Sequence, residues 1–176
     1  LSMTGLGVKL TSLIISLSDN NIWPALILTG IACLLLGMEV PTTAAYVICV
    51  SVAGPALVDM GLQLLQVHLF VFWFALLSTI TPPVCGTVFI ASGMVSENWL
   101  KVSLTSMSLG IGLYFIPLSM IANDAVIKLD SNFLHAIIAF FKIAVSLVLL
   151  SYAFISNNLI ILKIIAFGLG MFVMFV

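Results

Sequence analysis

The chain has 176 residues, 63% hydrophobic and 6% charged, with a formal net charge of -1 and a mean hydropathy of +1.36. Soluble domains carry about 25% charged residues, so this composition describes an integral membrane protein and excludes a water-exposed globular surface. Five lysines, no arginine and six acids leave no basic patch, so the charge balance does not suggest nucleic acid as a partner.

The opening Leu1 to Leu10 lacks a basic n-region followed by an apolar h-region, so it is not a signal peptide. Thr4 to Ser18 is mildly apolar, and Ser18-Asp19-Asn20-Asn21 reads as a polar turn or helix start. Ile22 to Gly37 is one apolar run. As a helix it reaches roughly 24 Å, short of the ~30 Å hydrocarbon core. After Pro41 a second short run covers Thr42 to Ala53, where Gly54-Pro55 ends it. Residues 22–53 therefore read as a re-entrant hairpin, with a Pro-kinked spanning helix as the alternative. Val58-Asp59-Met60-Gly61 is a polar link.

Residues 62–95 read as a broken helix, Leu62 to Ile80 and Val84 to Val95, interrupted at Thr81-Pro82-Pro83. Ser96-Glu97-Asn98 is a polar exit, and Trp99 is placed to anchor at the interface. Further membrane helices are expected at 101–121, interrupted by Pro117, at 133–155 and at 159–176. Asn123-Asp124 and Lys128-Leu129-Asp130-Ser131-Asn132 form the clearest extramembrane loop, and Ser156-Asn157-Asn158 a short turn. No linker or low-complexity segment appears, so residues 1–176 read as a single membrane domain. Both ends read as cut from a longer polypeptide, with a native C-terminal helix as the alternative. The lysines are too few and scattered to set orientation.

Two breaks carry the chemistry. In hydrocarbon a freed carbonyl has no water to bond, so such breaks survive only where protein or a water-filled cavity covers them. That is where transporters bind ions and substrates. In the first, Gly37 allows unusual backbone angles and Pro41 suits the first position of the next helix. Thr42 and Thr43 then place hydroxyls at the positive end of that helix, oxygen ligands for a hard cation such as Na+; a plain Thr cap is the alternative. In the second break, Thr79 and Thr81 flank Ile80, and Pro82 and Pro83 supply no donors. The carbonyls of Leu77, Ser78 and Thr79 should lose their helical partners, leaving an oxygen-rich pocket suited to a cation. A kink satisfied by Thr hydroxyls of neighbouring turns is the alternative. Glu39 is an intramembrane carboxylate that binds a proton or cation, or faces water at a hairpin tip.

The remaining polar residues read blandly. Gln63, Gln66 and His68 form an interfacial cluster, His135 is interfacial, and Asp59, Glu97, Asp124 and Asp130 are solvated. Cys33, Cys49 and Cys85 are small apolar fillers, and Gly168 and Gly170 ease helix packing. No His-Glu-x-x-His, Gly-x-Ser-x-Gly, paired intramembrane aspartates or phosphate loop supports a membrane enzyme or an ATP-driven motor.

Met3-Thr4-Gly5-Leu6-Gly7, Gly37-Met38-x-x-Pro41-Thr42-Thr43-Ala44-Ala45-Tyr46, Pro55-Ala56-Leu57, His68-Leu69-Phe70-Val71-Phe72 and Thr81-Pro82-Pro83-Val84 occur in that order. This pattern, over roughly residues 3 to 120, resembles the large (DctM-like) membrane subunit of TRAP transporters, the tripartite ATP-independent periplasmic type. It is most similar to the branch in which small and large membrane subunits are fused. The resemblance implies an all-α, elevator-type transporter with two inverted repeats, each holding a re-entrant hairpin and a discontinuous helix. This chain would be the second repeat, without the first repeat and the small-subunit region. Glu39 and Cys85 stand where the pattern carries small residues.

The resemblance further implies a multi-pass permease of the cell inner membrane, not an enzyme and without a cofactor. It would take up an organic acid with Na+ as coupling ion, delivered by a periplasmic substrate-binding protein of the TAXI type. The site would comprise Gly37, Thr42, Thr43, Thr79, Thr81 and Pro82, with Pro41, Pro83 and Glu39 beside them. The other readings are an elevator-type carboxylate or ion transporter without a binding protein, and a membrane fragment that does not transport.

Overall fold

The structure is a computed structural model that describes residues 5–127, 133–156 and 159–175. The expected loop at Lys128 to Asn132 and the turn at Asn157-Asn158 lie outside the described residues. The regular elements are helices, and the chain divides into two units, Leu1–Ser103 and Leu104–Val176.

The first unit holds α1 (Leu6–Leu17), α2 (Ile22–Leu36), α3 (Thr42–Asp59), α4 (Leu64–Leu77) and α5 (Gly86–Val95). Asn21 starts α2 by accepting the Trp23 N–H on its side-chain oxygen at 3.1 Å. Pro24 falls in the first turn, where a missing donor costs nothing. The buried stripe of α2 is Ala25, Leu26, Thr29, Gly30 and Cys33, while Ile27, Ile31 and Leu35 on the other face are exposed. A helix apolar all round belongs in a core or a bilayer.

The chain reverses between α2 and α3. Cys33 and Cys49 each stand eight residues from Pro41, and the Cys49 thiol donates to the Cys33 carbonyl at 3.7 Å. That symmetric pairing makes the arms antiparallel. Gln63 begins α4, its N–H donating to the Gln66 side chain at 3.0 Å. α4 packs on both arms. Phe74 lies on Gly30, where an added Cβ would stand 3.0 Å from the ring.

The second arm differs from the sequence expectation. Rather than ending before Gly54-Pro55, α3 runs on to Asp59, 18 residues in all. That is about 27 Å of helix, and α3 is long and apolar enough to cross a membrane. α1 explains the tolerance of Pro55. Proline leaves the Ser51 carbonyl without its helical donor. α1 packs there, with the Thr11 hydroxyl donating to the Val52 carbonyl at 3.4 Å and Gly7 against Ser51. The proline gap is thus covered by protein.

α6 (Trp99–Leu109) crosses from the first unit into the second, which continues as α7 (Ile111–Ala122), a 3-10 turn at Asp124–Val126, α8 (Phe133–Ile155) and α9 (Ile160–Phe175). The expected helix 101–121 is interrupted at Gly110, not at Pro117, which lies buried inside α7. Glycine loses the most conformational freedom in a helix, so the interruption falls there. α8 also meets the length and apolarity needed to span. α8 and α9 approach closely at Gly170, where a Cβ would lie 3.1 Å from Leu150 and 3.2 Å from the Ser146 carbonyl. That supports the packing role read for Gly170. The Asn123 amide donates to the Met174 carbonyl at 2.8 Å, tying the end of α7 to α9.

Candidate functional site: a hairpin tip against a helix break

The tip is the segment between α2 and α3. Gly37 closes α2, its N–H donating to the Cys33 carbonyl at 2.9 Å. Its φ is -86°, so the unusual backbone angles expected of it are absent. The glycine is needed for space. A Cβ there would stand 2.5 Å from the Ser78 hydroxyl, 2.9 Å from Ser78 Cβ and 3.1 Å from the Cys33 carbonyl. The residue that does take a left-handed conformation is Glu39, with φ 57°. Pro41 stands just before α3 rather than in its first turn, with φ -53° and ψ 137°, and its carbonyl accepts the Ala45 N–H at 2.9 Å. Thr42 and Thr43 open α3, half-buried and exposed respectively. Among the described residues their hydroxyls have no hydrogen-bond partner.

The break is the segment between α4 and α5. The structure satisfies much of what the sequence left free. Ser78 donates to the Ala75 carbonyl at 2.7 Å, Thr79 to Leu76 at 2.8 Å and Thr81 to Leu77 at 2.7 Å. The Leu77 carbonyl, expected to be freed, also accepts the Ile80 N–H at 3.2 Å. A tightened last turn and returning hydroxyls thus finish α4, as the kink alternative describes. A hydroxyl that donates its proton this way keeps its lone pairs for a cation. Pro82 is half-buried, Pro83 is exposed, and the peptide between them is cis.

Tip and break meet. The Ser78 hydroxyl lies 3.1 Å from the Gly37 carbonyl and can donate to it as well as to Ala75. On the far side of the break, Glu39 Oε1 lies 3.4 Å from where a Cβ on Gly86, the first residue of α5, would stand. The tip thus touches the last turn of one half-helix and the first turn of the next. The Glu39 side chain is exposed and its carboxylate has no hydrogen-bond or ion-pair partner among the described residues. Among the predicted residues the structure joins Gly37 to the break through Ser78 and brings Glu39 to α5. The hydroxyls of Thr79 and Thr81 turn back onto the Leu76 and Leu77 carbonyls of α4.

Sequence reasoning missed three residues. The sequence reading uses Ser78 only for its carbonyl and not for its side chain; the signal of that side chain is a small hydroxyl placed where the helix ends. Buried Ser103, from α6, donates to the Ile80 carbonyl at 3.3 Å and accepts from the Cys85 thiol at 3.8 Å, bracing both sides of the break. Tyr46 hydrogen-bonds His68 Nδ1 at 2.6 Å and lies edge-on to Phe72, clamping α3 to α4 below the tip. Both Tyr46 and His68 lie in the motifs that carry the family resemblance. Among the described residues no group of three His, Cys, Asp or Glu could hold a metal ion.

No curated protein and no solved structure matches the chain. The family model described as "Tripartite ATP-independent periplasmic transporter, DctM component" matches residues 1–134, which span the hairpin, the break and both units' first helices. The chain is a helical, multi-pass membrane protein that belongs to the DctM family, the TRAP-type transporter permeases.

Proposed function

We propose that this chain supplies the second hairpin and discontinuous helix of a permease that takes up an organic acid with Na+. The observation that carries the reading is the seating of Gly37 on Ser78, which puts a hairpin tip with free hydroxyls against a helix break. The first turns of α3 and α5 carry positive dipole ends, which favour a carboxylate. Thr42, Thr43, Thr79 and Thr81 are neutral oxygens that can replace part of a cation's hydration shell, with Gly37, Pro41, Pro82 and Pro83 shaping the backbone. The Glu39 carboxylate, without a partner among the described residues, adds a negative charge at the same junction. It draws the cation in and opposes a second anion.

Family membership supports the remaining parts. The substrate is handed over by a periplasmic binding protein, of the TAXI type in the fused branch, and the site is completed by a first repeat and small-subunit region in the inner membrane. Thr81→Val tests the ion role. In the full-length permease, reconstituted in proteoliposomes with its binding protein, half-saturating Na+ for uptake should rise several-fold with insertion unchanged. An unaltered Na+ dependence removes Thr81 from the ion site.

A further inference from the structure

Residues 37–46 and 78–86, the tip and the break, hold a single charged side chain, that of Glu39. Both its oxygens stand beside the start of α5, Oε1 at 3.4 Å and Oε2 at 3.8 Å from where a Cβ on Gly86 would lie. The backbone is strained to hold it there, at φ 57°, and strain of this kind collects at working sites. The 15 residues of α2 carry the tip about 22 Å from the polar turn at Asp19. A carboxylate taken that far along an apolar helix is costly unless a cation meets it.

The first unit does not bring that cation to the tip. Its lysines are Lys9 and Lys101. Lys9 belongs to α1, which meets α3 at Ser51 and Val52, well down the arm. Lys101 pairs with Glu97 at 3.1 Å. The cation must therefore arrive with what binds. The Thr79 and Thr81 hydroxyls offered to Na+ belong to the last turn of α4. Glu39 stands on the other side, against α5, whose positive end favours a carboxylate. A positive and a negative group are thus wanted side by side at one place. A dicarboxylate would instead set its second charge against Glu39.

We propose that Glu39 determines specificity, and that the substrate is a zwitterionic amino acid whose ammonium group pairs with the Glu39 carboxylate. This narrows the organic acid of the proposed function to one class and rests on that function.

The test uses the detergent-solubilised full-length permease in Na+, without its binding protein, so that the permease's own preference is read. Thermal stabilisation is titrated with three matched series of two to six carbons: amino acids, unsubstituted monocarboxylates and dicarboxylates. In the wild type the best amino acid should stabilise at a concentration on the order of 10-fold or more below its matched acids, as a charge-assisted hydrogen bond predicts. Glu39→Gln should erase that preference, and Glu39→Asp should retain it. Glu39→Asn, which tolerates the left-handed backbone, should repeat the Gln result if that variant folds poorly. If dicarboxylates or simple acids bind best in the wild type, the zwitterion is overturned while the organic-acid site stands. If amino acids bind best and the neutral variants keep the preference, Glu39 is not the residue that selects them. If those variants shift only the half-saturating Na+, Glu39 is an ion ligand and the inference is overturned. If no series stabilises the wild type, the organic-acid site itself falls, and this inference with it.

Discussion

Gly37 is a glycine for want of room. Any side chain would meet Ser78 and the Cys33 carbonyl at under about 3.2 Å, and packed interiors relieve such overlaps only by shifting backbone, at about 1–3 kcal/mol. Gly37→Ala should therefore lower the thermal stability of the detergent-solubilised permease by about 2 kcal/mol and sharply reduce uptake. Because the clash is with Ser78, the double variant with Ser78→Gly should recover at least about 1 kcal/mol, the coupling typical of touching residues. Additive losses would separate the tip from the break. Glu39 presents the opposite case, a side chain held at φ 57°, where a non-glycine residue costs of order 1 kcal/mol. Glu39→Gly should raise the unfolding temperature while removing the junction's charge, whereas Glu39→Asn tolerates the conformation and removes only the charge. If both leave the half-saturating Na+ of uptake unchanged, Glu39 has no part in cation binding.

These two residues also show how far the sequence reaches. It pointed to Gly37 and Glu39 because glycine, proline and a carboxylate interrupt an apolar run, and such interruptions are local. It attached the backbone freedom to the wrong one, because the reason for Gly37 lies 41 residues away at Ser78. Ser78, Ser103 and the Tyr46–His68 bond are contacts between elements, and no periodicity within one segment announces them.

At the scale of elements, each helix shows how a polar or broken backbone is made tolerable without water. α3 carries Pro55 because α1 covers the gap with Gly7 and Thr11. That is why the dipeptide Gly54-Pro55, which ordinarily punctuates a helix, failed to end one. α4 finishes by turning three hydroxyls onto its own last carbonyls. The exception is Thr29, whose buried hydroxyl in the middle of α2 has no partner among the described residues. An unsatisfied buried hydroxyl costs about 1–3 kcal/mol, and an apolar group of the same shape removes that cost. Thr29→Val should leave the permease as stable or more stable by about 1 kcal/mol in thermal unfolding, with uptake retained. A loss of stability would show that the hydroxyl is satisfied in the assembled membrane protein.

At the scale of the whole molecule, the order of α2, α3 and α4 fixes a relation to the membrane. α2 runs from Asn21 to the tip, α3 returns from the tip to Asp59, and α4 starts at Leu64 and climbs back to meet Gly37 at Ser78. The pairing of Gly30 with Phe74 and Gly37 with Ser78 shows that α2 and α4 run in the same direction. Asp19 and Asp59 must therefore lie at the same membrane face. Beyond the break, α4 and α5 together hold 14 and 10 helical residues, about 36 Å of helix, enough to cross a ~30 Å core as one discontinuous span. Glu97, just past α5, should then lie at the opposite face. In a full-length permease whose native cysteines are replaced, single cysteines at Asp19 and Asp59 should react with an impermeant maleimide from one side of sealed vesicles, and a cysteine at Glu97 from the other. Labelling of Asp19 and Asp59 from opposite sides would break the hairpin. Labelling of Glu97 from their side would mean that α4 and α5 turn back on each other instead of crossing. In that case the tip and break would sit at a membrane face rather than at the midplane, and the proposed ion and substrate site would be lost.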